Sequence, residues 1–185
     1  MADLAALLFD LDGTLVDTAE PNFRAYAQAL DEVGVAIDRP RFDAVATGRH
    51  WSQFLPQLLE GTGEDAAAVA ARKQLLYPAY LARSRLNLPL VGLARAASGR
   101  LRLALVTSAS RPSVTAVLAA HSLADLFDTV VTGDDIVAPK PAPDCYLLAM
   151  ARLGVEPGQC LAFEDTDIGA ESARLAGVTV LRVTL

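Results

Sequence analysis

Cysteine is nearly absent: Cys145 and Cys160 are the only two, with neither a CxxC spacing nor a partner histidine. A thiolate metal framework is therefore excluded. Buried free thiols of a reducing compartment are expected, with a disulfide the lesser alternative. Positive charge is also in deficit, 16 Lys and Arg against 22 Asp and Glu, for a formal net charge of −6. That balance argues against a nucleic-acid backbone as main partner, while leaving room for a local basic pocket that binds phosphate. No apolar run approaches a membrane span. Asp3 stands where a signal sequence would be basic, and Asp10 interrupts the first apolar stretch early. A soluble, cytoplasmic protein follows as the expectation. Internal repeats and low-complexity tails are missing too. What is present is 185 residues, 52% hydrophobic, enough for a substantial core and a second small domain.

The chain is organised around the run from Leu7 to Val16. Apolar residues lead into Asp10-Leu11-Asp12-Gly13-Thr14, which reads as a buried strand ending in a loop with two carboxylates two residues apart. Two such carboxylates repel unless a divalent cation lies between them or one keeps a proton. Gly13 lets the backbone turn or approach a ligand closely.

Beyond Val16 the spacing of apolar residues predicts helices only, up to about residue 86. One starts near Thr18 and stops at Gly34, two short ones follow around Phe42 and Trp51, and an Ala-rich helix over 64–81 is capped through Thr62 and Asp65 and kinked at Pro78. Strands and helices then alternate. Strands are expected over 101–106, 129–132, 160–163 and 179–183, and helices over 112–120, 143–153 and 168–176. Nearly continuous apolar strands alternating with helices indicate a parallel sheet covered on both faces, joined by the opening strand.

Polar residues gather where these strands end. Thr107-Ser108-Ala109-Ser110 follows one, Gly133-Asp134-Asp135 and Pro139-Lys140-Pro141 follow the next, and Glu164-Asp165-Thr166-Asp167 follows the fourth. An open α/β sheet brings all its carboxyl ends to one edge. Ser110 and Asp167 are better read as helix caps. The other groups suit phosphoryl transfer, with a carboxylate nucleophile, a second carboxyl group as acid and base, a hard cation on oxygen ligands, and hydroxyl, backbone N–H and lysine donors for the transferring oxygens.

These four stretches, Asp10 to Thr14, Thr107-Ser108, Pro139-Lys140-Pro141 and Phe163 to Thr166, resemble the ordered motifs of the haloacid dehalogenase superfamily. The helical insertion resembles the cap of its phosphoglycolate phosphatase and β-phosphoglucomutase-like branch. The resemblance implies a Rossmann-like α/β core over 1–16 and 87–185 with an all-helical cap over 17–86. It implies Asp10 as nucleophile, Asp12 as acid/base, and Lys140 as the lysine pairing with nucleophile and phosphate. Gly13, Thr107, Ser108 and Ala109 would cradle phosphate, with Ser108 as the hydroxyl unless adjacent Thr107 takes its place. Arg49 would contact the substrate from the cap. Asp10, Glu164, Asp165 and the Asp12 carbonyl would hold Mg²⁺. The expected activity is hydrolysis of a small phosphomonoester by a monomer, a dimer being the alternative. A sugar-phosphate mutase and a non-catalytic binding protein are the rivals. Asn22 in place of the mutase histidine favours hydrolysis. Family members of this branch usually continue beyond the equivalent of Val183, so an edge of the sheet is expected to be less covered here. For Arg49 a substrate contact and an idle surface position are equally open. For His50 and Lys73, solvated helix positions are at least as good a reading.

Overall fold

The computed structural model describes residues 3–185. At its centre runs β1 (Ala6–Phe9), buried throughout. It pairs in parallel with β4 (Arg102–Val106) on one side and β6 (Cys160–Glu164) on the other, Leu8 standing opposite both Ala104 and Ala162. Beyond them lie β5 (Thr129–Val131) and β7 (Thr179–Arg182), giving the order β5-β4-β1-β6-β7 with every pairing parallel. Alternation along β1 divides the core in two. Leu7 and Phe9, with Leu103 and Leu105, pack under α5 (Leu88–Ala97) and α6 (Arg111–Ala120). Ala6 and Leu8 face α7 (Asp144–Leu153) and α8 (Asp167–Leu175), where the strand alanines Ala6, Ala104 and Ala162 leave room for Tyr146 and Met150. The sheet is thus covered on both faces by helices, as the apolar strands require.

Between β1 and α5 the chain builds a separate helical cluster from α1 (Ala19–Asp31), α2 (Arg39–Ala46), α3 (Trp51–Leu58) and α4 (Ala66–Tyr80). Its own core contains Tyr26, Leu30, Phe42, Phe54, Leu55 and Val69. The Asp65 carboxylate caps α4 by accepting from Ala67 N, whereas Thr62 donates to Leu59 O. Past Pro78 the helix continues to Tyr80 before tightening into a single 3₁₀ turn.

Two elements were not expected. One is α5, whose start carries Asn87 as cap and a proline in the first turn. The other is a two-stranded antiparallel ribbon, β2 (Val16–Asp17) with β3 (Arg85–Leu86), whose second strand falls where the apolar spacing predicts helix. The ribbon carries the chain into and out of the helical cluster side by side. Asn87 ties this crossing to the acidic loop, its N–H donating to Leu15 O and its side chain to Thr14 O. No helix among the described residues is long and apolar enough to cross a membrane.

Candidate active site

The carboxyl ends of β1, β4 and β6 open onto one cavity of about 170 Å³, roofed by the helical cluster. Asp10, just past β1, is fixed by its N–H donating to Phe163 O. Lys140 lies between Pro139 and Pro141 and is 2% exposed. Its Nζ donates to Asp10 Oδ1 at 2.9 Å, Val106 O at 3.0 Å and Glu164 Oε1 at 2.5 Å, which uses all three ammonium protons. Glu164 Oε1 also accepts from Tyr146 OH at 2.6 Å. Glu164 Oε2 is buried with no hydrogen-bond partner among the described residues. Asp165, next along, accepts from Thr14 Oγ1 at 3.2 Å.

One oxygen each from Asp10, Glu164 and Asp165 lies within 4.8 Å of the others. Burial and Glu164 raise the Asp10 carboxyl against the pull of Lys140. Burial and Glu164 push Asp165 up to about 6. Burial works against the Lys140 ammonium, but Asp10 and Glu164 outweigh it and hold Lys140 charged. Three acids and one ammonium leave negative charge uncompensated at a point surrounded by hard oxygen donors, one of them unpartnered. That donor set fits a divalent cation such as Mg²⁺.

Two glycines allow this packing. Gly13 has φ +85°, and a Cβ there would run into the Asp165 carboxylate. Gly169, in the first turn of α8, lies so close over Glu164 that a Cβ would overlap its carboxylate. Gly169→Ala should therefore lower stability by roughly 2–3 kcal/mol in urea unfolding, where Gly158→Ala, with open space beside it, should change little.

Asp12 accepts a hydrogen bond from Thr18 Oγ1 at the entry to α1. Burial raises its carboxyl, and the Thr18 bond opposes the rise. Along the β4 end, Thr107 Oγ1 accepts from Ala109 N at 3.0 Å and so shapes its own turn. Ser108, half-buried, and Ala109 line the cavity with Gly13 and Arg49. Every site residue expected from the sequence therefore borders this cavity or the acidic cluster beneath it.

A model of haloacid dehalogenase-like hydrolases matches residues 4–177. The chain is a haloacid dehalogenase-like hydrolase. The hydrolase is 35% identical over 183 residues to the fructose-1-phosphate phosphatase YqaB of Escherichia coli, spanning 98% of this chain and 97% of that one. It is 36% identical over 194 residues to protein CbbY of Rhodobacter capsulatus, spanning 97% and 85%. The crystal structure of CbbY from Rhodobacter sphaeroides in complex with phosphate matches with a TM-score of 0.91 at 28% identity, covering 98% of the hydrolase and 87% of that chain.

The roof of the cavity corrects several readings. Lys73 is not solvated: it is 3% exposed, donates to Ser113 Oγ at 3.2 Å and lies 3.6 Å from the Tyr77 ring centroid. Burial lowers its pKa to about 7 despite the Asp12 charge nearby. An unfolded lysine titrates near ~10.4, so the cost of burying the charge is full below about 7 and fades as pH rises toward the unfolded value. Lys73→Met should accordingly stabilise the ligand-free hydrolase at pH 6 by roughly 1–2 kcal/mol, and by less at pH 9, in thermal or urea unfolding. His50 is buried as well, between Ser52 and Asp134. Arg49 is exposed at the rim, donating to Val45 O at 2.9 Å. Asn22 borders the cavity.

The two helix-cap readings also change. Ser110 precedes α6 but makes no side-chain cap bond; its Oγ donates to Ser113 Oγ and accepts from Gln74 of α4. Thr166, not Asp167, caps α8 by accepting from Gly169 N, while Asp167 is paired with Arg182. Thr18, Thr14 and Tyr146 were missed as partners of the carboxylates. For Thr18 the signal was nearness to Asp12 in sequence, but nothing local links Thr14 to Asp165 or Tyr146 to Glu164.

Proposed function

We propose that the hydrolase cleaves a small phosphomonoester, such as a sugar phosphate or phosphoglycolate, in a Mg²⁺-dependent reaction through an aspartyl-phosphate. In this reading residues 1–16 and 87–185 form the catalytic core and 17–86 the cap. The carrying observation is the contact of Lys140 with Asp10 and Glu164 beside Asp165, at the floor of the cavity under the helical cluster. A phosphatase acting on fructose 1-phosphate and a phosphate-bound relative support the substrate class. The buried free thiols of Cys145 and Cys160 agree with a cytoplasmic setting.

The Asp10 carboxylate attacks phosphorus in line. A new P–O bond forms to its oxygen as the ester P–O bond breaks, and Asp12 delivers a proton to the departing alkoxide. Burial moves the Asp12 carboxyl in the direction a proton donor needs, whereas the Lys140 ammonium on Asp10 favours the ionised nucleophile. Water then attacks the same phosphorus, Asp12 takes its proton, and the Asp10–phosphorus bond breaks to release inorganic phosphate. Ser108, the N–H groups of the 107–109 turn and Lys140 stabilise the transferring oxygens. In this reading Ser108, half-buried on the cavity wall, supplies the hydroxyl, and Thr107, whose oxygen accepts from Ala109 N, shapes the turn. Mg²⁺ held by Asp10, Glu164, Asp165 and the Asp12 carbonyl would screen the repulsion between nucleophile and phosphate. In this reading Arg49, exposed at the cavity rim, meets the far end of the substrate.

Phosphate release across sugar phosphates, phosphoglycolate and nucleotides, with Mg²⁺ and with EDTA, tests this reading. Metal-dependent turnover is expected; its absence throughout the panel would overturn the proposal. With β-glucose 1-phosphate, isomerisation to glucose 6-phosphate faster than phosphate release would make the enzyme a mutase instead. Asp165→Ala should raise the Mg²⁺ concentration for half-activation by about 10–100-fold, with high Mg²⁺ restoring part of the rate.

A further inference from the structure

We propose that His50 and Asp134 form a latch that holds the cap loop 47–51 onto the core and ties it to the phosphate-binding turn. His50 stands at the start of α3 and belongs to the cap, whereas Asp134 sits on the short 3₁₀ turn after β5. His50 is 9% exposed, although the residue before it is open to solvent. Its Nε2 lies 3.3 Å from Asp134 Oδ1 and its Nδ1 2.9 Å from Ser52 Oγ. The ring rests on the backbone of Gly133, where a Cβ would collide both with the imidazole and with the Ser108 carbonyl. The remaining bonds of this turn run to the core. Asp134 Oδ2 accepts from Arg111 N at 2.7 Å, at the start of α6, and Gly133 N donates to Ala109 O at 2.9 Å.

One carboxylate thus bridges the cap and the start of α6, and the glycine before it holds the turn that follows β4. Burial lowers the His50 pKa and Asp134 works the other way, so at neutral pH the ring is the neutral donor, with Nε2–H directed to Asp134 and Nδ1 accepting from Ser52. Asp134 is the acidic group facing it. Arg111, nearby, turns its guanidinium to Asp135. His50 is flanked by Arg49 and Trp51, both bordering the cavity. It is a positioning residue: it touches neither the acidic cluster nor the attacking oxygen, and it holds the backbone between two of the cap residues that line the pocket.

The latch stands on this geometry, and only its kinetic consequence rests on the proposed phosphatase activity. Trp51 is the one tryptophan in the chain, 5.3 Å from His50 between ring centroids, so its emission reports the latch without any turnover. In the ligand-free protein, His50→Ala and Asp134→Ala should each increase iodide quenching of Trp51 about 2–5-fold, and the double variant should be no more quenchable than either. Asp134→Ala leaves the histidine ring in place, so greater quenching there reports release of the loop. Asp134→Asn should stay close to wild type, because its amide can donate to Nε2 once the imidazole exchanges tautomer, with its carbonyl kept for Arg111 N. Circular dichroism and melting curves verify that each variant is folded. With the substrate found in the panel, the two alanine variants should raise KM roughly tenfold while kcat changes less than threefold. Quenching by Asp134→Ala equal to wild type, or additive effects in the double variant, would overturn the latch. Failure of the whole substrate panel would remove the phosphatase reading and leave the quenching result standing.

Discussion

Asp10→Asn should reduce phosphate release by at least about 10⁴-fold with the fold intact, because the amide is close in shape to the carboxylate but lacks its nucleophilicity. The stability effect should be the reverse of a usual core substitution. Asp10 sits at the end of a fully buried strand, and burial together with Glu164 raises its pKa above the unfolded value. A raised carboxyl binds more protons in the folded state, so its ionisation penalises folding above the folded pKa, and the penalty disappears as pH falls to the unfolded value near ~4. Asn removes that penalty. Urea unfolding at pH 7 should show Asp10→Asn as stable as wild type or more so, with the advantage shrinking toward pH 4. Lys140 keeps two of its three acceptors, Glu164 and Val106 O, which limits the loss. Activity near wild type in a contaminant-free preparation would end the assignment of Asp10 as nucleophile.

Lys140→Met should remove both activity and stability. The ammonium is the sole cation in direct contact with Asp10 and Glu164 among the described residues, and the Glu164 side chain is 1% exposed. Without it two buried carboxylates face each other unpaired, a situation that costs about 3–5 kcal/mol. Part of this should return at low pH, where a carboxyl takes up a proton, and part with excess Mg²⁺. Combining Lys140→Met with Glu164→Gln should recover most of the melting temperature, since the glutamine still accepts from Tyr146 OH and carries no charge, but none of the turnover. A double variant that melts no higher than Lys140→Met alone would show that the lysine stabilises the core by some means other than charge.

The sequence was most informative where local pattern and chemistry coincide. Leu7 to Asp12 is at once a buried strand and a loop bearing two acids, so its burial and its chemical use could be read together. The strands near 102–106 and 160–164 followed from apolar runs, and their polar ends from the rule that ligands meet the carboxyl edge of a parallel sheet. Legibility ended where a residue's role depends on a distant partner. Lys73 lies in an Ala-rich helix of little amphipathic contrast, and nothing adjacent indicates that it turns inward onto Tyr26, Tyr77 and Ser113. His50 is buried by a glycine 83 positions away, and Tyr146 meets Glu164 across two elements. The β2–β3 ribbon was hidden for another reason: two residues per strand are too few to show alternation. The unassigned α5 did carry a readable signal, Asn87 two residues before Pro89.

The placement of β1 also governs how the molecule can be made. Ala6 has its neighbours at Arg102 and Cys160, so during synthesis the first strand emerges with both hydrogen-bonding edges bare and gains its second only after Glu164 is out. The helical cluster, by contrast, draws its own core from one continuous stretch, Phe23 to Leu76, and only the outer faces of α1 and α4 wait for later elements, through Ala25, Tyr77 and Lys73. Helices should therefore form early, while the sheet waits on two long loop closures. In that interval Leu7, Leu8 and Phe9 form an unsatisfied apolar strand. A chain arrested before residue 160 should accordingly bind chaperones and aggregate while already showing strong helical circular dichroism.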